Sequence, residues 1–312
     1  MSHNIESIAW TNEKPWHGIG TEVKPNISVD AMLKAANLDW TVSKRAMQDV
    51  DGTPVEGFFS LRRDSDNKLL DVTGPDYTPV QNKPAFQFFD SFLKQGKATM
   101  EVAGSLNGGK MVWGLAKLGA GFALPGKDRV DYYLLAVIPH VQGKTLQFMS
   151  TATRVVCQNT IQMALKAGSA NLFKHIHRAE FTEATMEEAQ RVITASAESF
   201  AMFREHAETL AKKKMSQAAS IDYLAAVFEP DEPVAEVLRK PSRPLQQAIA
   251  ALTHAPGHDL ASSTNTAWGA LNAVTYTVDH LMGKKVDRRL TRAWLGKTAT
   301  LKRTALDLAL SA

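Results

Sequence analysis

The sequence predicts an α+β fold: an antiparallel β-meander sheet packed with helices, followed by a mainly helical C-terminal half. Three features carry that expectation. Apolar residues recur with period two over residues 98–150. Short turn signals punctuate the same stretch. Past residue 180 the period becomes helical, opening on the capping signature Thr185-Met186-Glu187-Glu188. We expect two domains, an α+β sheet domain over residues 1–180 and a helical domain over 181–312.

Residues 1–27 read as irregular, with Trp10, Pro15, Trp16, Gly18 and Gly20 at no period. Ser28 can cap a short helix to Ala36, with Asn37 as its left-handed stop. Trp40 to Leu61 reads as extended and is broken by Asp51-Gly52-Thr53-Pro54; a further strand fits Lys68 to Thr73. Asn82 is expected to cap the next helix, which carries Pro84 in its first turn and ends at Gly96. Its stripe of Phe86, Phe89 and Leu93, with Phe88 and Phe92 beside it, reads as core.

The meander strands are Ala98–Leu106, Met111–Leu118, Val130–His140 and Lys144–Ser150. Its first and third turns share one end of the sheet, so Lys110 and Lys144 are neighbours there and Lys127 lies at the other end. Thr151 then caps a predicted helix to about Ala167. Val156, Cys157 and Ile161 form its apolar face, and Arg154, Gln158 and Gln162 recur at steps of four on another. Met186, Ala189, Ile193, Ser196, Phe200, Phe203, Ala207 and Leu210 alternate three- and four-residue steps. That heptad seam predicts one long helix packed on a partner helix, either residues 216–228 or a second copy of the chain. Four prolines between 230 and 244 mark a linker, and the remainder reads as helices.

Of the 312 residues, 44% are hydrophobic and 22% charged, enough for a sizeable core and against wholesale disorder. The one cysteine, Cys157, allows no intrachain disulfide, which fits a reducing compartment, and we expect a cytoplasmic protein. The N-terminus lacks the pattern of a signal peptide, and no apolar run is long enough to cross a membrane. The net charge of +4 is unevenly spread: residues 1–150 carry 16 Lys and Arg against 16 Asp and Glu, and the rest carries 20 against 16. The excess lies in Lys284, Lys285, Arg288, Arg289, Arg292, Lys297, Lys302 and Arg303, opposed there by Asp287. Such a block suits a polyanion; it also suits a solvated helical face.

Several segments resemble the phage/plasmid-like protein family known as domain of unknown function 932. They are residues 15–21 (PWHGIGT), 76–82 (DYTPVQN), 153–160 (TRVVCQNT) and 266–274 (TAWGALNAV) with Asp279-His280. The family often has an Asp-Gly-Ser turn near the third hairpin, whereas this chain reads His140-Val141-Gln142-Gly143-Lys144. The resemblance implies a mobile-element origin and no defined activity.

No catalytic constellation emerges. Gly104 to Lys110, Gly121 to Lys127 and Gly143-Lys144-Thr145 are near misses to a phosphate-binding loop. His175 and His177, and His254 and His258, read as ordinary surface histidines rather than metal ligands, and no cofactor is expected. Cys157, on an apolar helix face, reads as core. Arg154, Gln158 and Gln162 have side chains that bind phosphate oxygens and base edges; alternatively Arg154 and Asn159 tie their helix to the sheet. A meander followed by a packed helix is similar in topology to the single-strand annealing proteins of phage recombination. The expectation is therefore single-stranded DNA binding or annealing in mobile-element recombination or replication. Arg154, Gln158, Gln162, Lys110 and Lys144 would form the surface, with Arg288, Arg289 and Arg292 as an accessory patch and self-association through the 186–210 helix. The alternative is a non-catalytic interaction protein in host defence or phage assembly. A nucleotide-acting enzyme ranks third.

Overall fold

A computed structural model describes residues 5–12, 20–119, 121–154, 159–161, 172–194, 197–282 and 297–311. The order of elements begins with β1 (Ile5–Trp10), β2 (Thr21–Glu22) and helix α1 (Val29–Ala35). The Ser28 hydroxyl accepts the Ala31 N–H and caps α1; Asn37, at φ 58°, ends it in the left-handed region that asparagine tolerates. Strands β3 (Val42–Gln48), β4 (Pro54–Arg63) and β5 (Lys68–Thr73) form an antiparallel three-stranded sheet. A broken helix follows: α2 (Asn82–Phe86), a 3-10 turn at Gln87–Phe89, and α3 (Asp90–Lys94).

The large sheet takes its centre from β6 (Ala98–Leu106), β7 (Met111–Leu118), β9 (Asp128–Pro139) and β10 (Thr145–Arg154), in that spatial order. A short β8 (Phe122–Leu124) pairs with the start of β9, inside what the sequence suggested was a loop. β1 joins β6 antiparallel, and β2 joins β1 parallel. The fold is α+β, and the sheet is open.

Where the sequence predicted a helix from Thr151 to Ala167, β10 instead continues to Arg154. It then pairs antiparallel with β11 (Asn159–Ile161), Arg154 opposite Asn159. Thr151 and Thr153 are β-branched and extend the strand they sit in; their capping chemistry goes unused. The analogy to annealing proteins required that helix and falls with it. Cys157 lies outside the described residues.

β12 (Leu172–Ile176) pairs with the first half of β10, with Thr145 opposite Ile176. The predicted 186–210 helix is described as α4 (Glu183–Thr194) and α5 (Ala197–Lys212), and residues 195–196 lie outside the described residues. Ala189 and Ile193 are buried where α4 meets β12 and the 3-10 turn; Phe203, Ala207 and Leu210 are buried on α5, which packs on β8 and the helices after it. Those helices are α6 (Gln217–Phe228), α7 (Val234–Arg239), α8 (Arg243–His254), α9 (Ala267–Tyr276) and α10 (Lys297–Ser311). The seam's main helical partner is α9, and residues 216–228 are not its principal cover.

The chain forms two compact units that interleave along the sequence. The first takes residues 1–119, 133–150 and 169–196, and the second 120–132, 151–168 and 197–312. In the first, α1, the broken helix and α4 cover one face of the sheet. The predicted phenylalanine stripe is core: Phe86, Phe88 and Phe89 are fully buried, and Phe88 stacks on Phe148 at 4.0 Å. Gly114 lets Phe86 lie against the sheet, because a Cβ there would lie 2.7 Å from the Phe86 ring.

In the second unit, Asp128 is buried and accepts from the Ser262 hydroxyl at 2.6 Å and the Trp268 indole at 3.0 Å. Thr266 caps α9 by accepting the Gly269 N–H. Lys302, which the sequence placed in a basic block, is buried and donates to Asp279 at 2.8 Å. It is a core ion pair and adds nothing to a solvated basic face. Asp279 and His280 lie in a π-helical turn, where His280 packs on Tyr276.

Candidate functional site

The segment Tyr77-Thr78-Pro79-Val80-Gln81-Asn82 is built into the first unit by its amides. Gln81 reads the Val42 backbone in both directions, accepting its N–H at 2.8 Å and donating to its carbonyl at 2.9 Å. Asn82 is not the helix cap: Gln81 occupies that position, and the buried Asn82 amide donates to Leu38 O at 3.0 Å. Its carbonyl sits 2.8 Å from His140 Nε2, so that nitrogen carries the proton. His140 is fully buried, and burial, with a smaller contribution from His177, lowers its pKa to about 3. The ring is therefore neutral near pH 7, and Nδ1 is left without a partner. The His140 N–H donates to the Lys110 carbonyl at 2.9 Å, which ties the first and third meander turns together as the topology required.

Beside this framework lies a cleft of about 410 Å³, lined by residues 74–77, 142–145 and 176–178. Its three segments are joined to one another. Gly74 N–H donates to Gln142 Oε1 at 2.8 Å, Gln142 N–H to Asp71 at 2.7 Å, and Thr78 N–H to the His177 carbonyl at 2.7 Å. Lys44 reaches the turn from β3, donating to the carbonyls of Tyr77 and Pro75. Tyr77 stacks on His177. Both are buried, and the Tyr77 hydroxyl has no hydrogen-bond partner. Burial, reinforced by Asp71, pushes the Tyr77 phenol well above its ordinary range. Burial lowers His177 to about 4, an effect that the Thr78 backbone partly offsets. His175 is buried as well and meets the Ala179 carbonyl at 3.0 Å. These histidines are interior groups, where the sequence suggested surface ones; strand alternation puts both on the inward side with exposed Ile176 between them.

Lys110 and Lys144 are exposed in turns at one end of the sheet, and Lys174 and Arg178 are exposed on and just beyond β12. None of the four has an ion-pair partner among the described residues. Two other cations of this unit are committed: Arg63 is gripped by Glu6 at 2.7 Å and Asp66 at 2.5 Å, and Lys68 by Glu6 at 3.1 Å. Arg154 ends β10, whereas Lys144 precedes its first residue, so the two stand at opposite ends of a ten-residue strand. The structure thus brings Lys110 and Lys144 together and leaves Arg154 apart. Gln158, Gln162, Arg288, Arg289 and Arg292 lie outside the described residues, as does Trp16. Trp10 is buried, which removes it as a base-stacking platform. Sequence reasoning missed Arg178, Tyr77 and His177. The alternation His175-Ile176-His177-Arg178 was the available signal, read as a pair of surface histidines rather than as the end of a strand.

Among the described residues, no three His, Cys, Asp or Glu side chains are placed to hold a metal ion, and no helix is long and apolar enough to cross a membrane. Residues 69–294 match the family model described as "Domain of unknown function (DUF932)". No curated protein and no solved structure matches the chain.

Proposed function

The chain belongs to the DUF932 family, and from that premise we propose that it binds single-stranded DNA through the turn end of its large sheet. The observation that carries this reading is the set of exposed cations without carboxylate partners, Lys110, Lys144, Lys174 and Arg178, in a unit whose Arg63 and Lys68 are neutralised. Unpaired surface cations attract a phosphate backbone and release its counterions. Arg288, Arg289 and Arg292 form an accessory patch in this proposal, and a role in mobile-element recombination or replication is part of the same proposal, compatible with the mobile-element origin that the motifs imply. Arg154 contributes separately from the lysine cluster. Self-association through the 186–210 region has little apolar seam to use, because Ala189, Ile193, Phe203, Ala207 and Leu210 are buried within the chain.

One observation favours the interaction-protein alternative. Phe58, Leu69 and Val72 on the three-stranded sheet are 55%, 46% and 37% exposed. Fluorescence anisotropy with single- and double-stranded DNA across a salt series separates the two readings. DNA binding must weaken steeply as salt rises, whereas an apolar docking surface shows no such slope. Absence of single-strand binding at low salt rejects the proposal.

A further inference from the structure

The cleft at residues 74–77, 142–145 and 176–178 combines apolar walls with a charged rim. Pro75, the Tyr77 ring and Ile176, itself 56% exposed, supply the walls. Lys144 and Arg178 supply two cations, Thr145 a hydroxyl, and Asp76 a single opposing carboxylate. At about 410 Å³ the space is of small-ligand size and far too small for a duplex. A matching ligand has a flat, largely apolar part and an anionic end. Among the lining residues, the buried Tyr77 hydroxyl lacks a partner, which is uncommon in folded proteins and marks unmet hydrogen-bonding capacity. A phenol can both donate and accept. A phosphate dianion only accepts, but the edge of a nucleobase does both.

We infer that this cleft is a subsite for one unpaired nucleotide, its phosphate against Lys144 and Arg178 and its base against Pro75, Tyr77 and Ile176. The inference rests on the single-strand reading above and deepens it. A base lodged in a cleft must leave the duplex stack, so the cleft confers a preference for single strands that scattered lysines cannot. It also gives Gly143-Lys144-Thr145 a role. The segment is not a nucleoside-triphosphate loop, since Gly143 at φ 76° sits in a turn between strands and no helix follows it. It presents one lysine and one hydroxyl to a single phosphate. Asp76 on the same rim repels a second phosphate group, so a monophosphate is the preferred form.

The test is calorimetric titration of the full chain with thymidine 5′-monophosphate, inorganic phosphate and thymidine, beside anisotropy with an oligothymidylate. The monophosphate should bind, and phosphate or nucleoside alone should bind at least about tenfold more weakly. Arg178→Ala, at an exposed position, should keep the melting temperature and lower monophosphate affinity about tenfold, the usual weight of a charge-assisted hydrogen bond. Ile176→Ala should weaken thymidine monophosphate and leave inorganic phosphate unchanged. Phosphate binding as tight as the nucleotide's makes the cleft a plain anion site and overturns the inference. An oligonucleotide that binds while the monophosphate does not overturns the cleft and leaves single-strand binding standing. Monophosphate binding without oligonucleotide binding supports the cleft and removes the single-strand reading. Binding of neither probe overturns both.

Discussion

Tyr77 lies flat against His177, ring centroids 4.9 Å apart and planes 7° from parallel, and the Tyr77 hydroxyl finds no hydrogen bond. The stack gains dispersion energy while it leaves a phenolic hydroxyl desolvated. Tyr77→Phe keeps the ring and removes the stranded group. We expect it to stabilise the protein by about 1 kcal/mol in urea titration, because an unsatisfied buried hydroxyl is destabilising. A loss of stability would mean that the hydroxyl is already satisfied.

Stability should also fall with mild acid. His140 and His177 have folded pKa values of about 3 and about 4, against 6.5 for an unperturbed histidine. Between pH 6.5 and 4 the unfolded chain takes up protons that the folded chain refuses. The contribution is therefore complete above pH 6.5 and falls as pH drops through that window, by up to about 1.4 kcal/mol per pH unit for each histidine. Below it, Glu6 and Asp66, whose pKa values Arg63 holds down, add to the loss. Urea midpoints at pH 7 and pH 5 measure the slope. His177→Phe should flatten it, and identical slopes would contradict the assignment.

Asn82→Asp tests the framework under the cleft. The aspartate keeps the volume and still accepts from His140, but it cannot donate to the Leu38 and Trp40 carbonyls. It also places a carboxylate in a buried position. We expect a cost of about 2–4 kcal/mol, read from chemical denaturation. A neutral outcome would show that the amide donor is dispensable.

How far the sequence spoke depends on how local each signal was. β5 runs over Lys68–Thr73 as expected, because a short apolar run there is followed at once by a Gly-Pro turn. α1 and its Asn37 stop were legible for the same reason. At Thr151 two local signals competed, capping chemistry and β-branching, and β-pairing with Asn159–Ile161 decided between them. The 186–210 seam has helical periodicity throughout. Periodicity names the buried face but not its neighbours, and α4 and α5 pack on different elements. The Lys110–Lys144 proximity followed from meander topology alone. The cleft did not, because Tyr77 and His177 are 100 residues apart and meet through the pairing of β12 with β10.

Gly269→Ala probes the second unit. A Cβ at this position would lie 2.0 Å from the Ser263 carbonyl oxygen, a backbone atom that cannot swing away. The change should cost several kcal/mol, in the range of the most damaging core substitutions, or leave the protein insoluble. Gly119→Ala, with open space around its Cβ, is the matched control and should melt near the parent. Equal melting temperatures for both variants would refute the close approach.

Lys110 and Lys144 are exposed, unpaired and at the same end of the sheet, so replacing them removes charge without removing packing. If they contact phosphate, Lys110→Ala and Lys144→Ala each weaken single-stranded DNA binding for every sequence alike. Each should also reduce the slope of log affinity against log salt by about 0.7, the value for one phosphate contact on a single strand. The double variant should reduce it by about twice that, since two separate phosphate contacts release counterions independently. Arg45→Ala is the control: its guanidinium already pairs with Asp64 at 2.8 Å, and its loss should leave the slope unchanged. An unchanged slope in both lysine variants would locate the DNA contact elsewhere, and the Arg288, Arg289 and Arg292 segment would be the next to vary. A slope that changes equally in Arg45→Ala would show that net charge alone, and not this end of the sheet, governs binding.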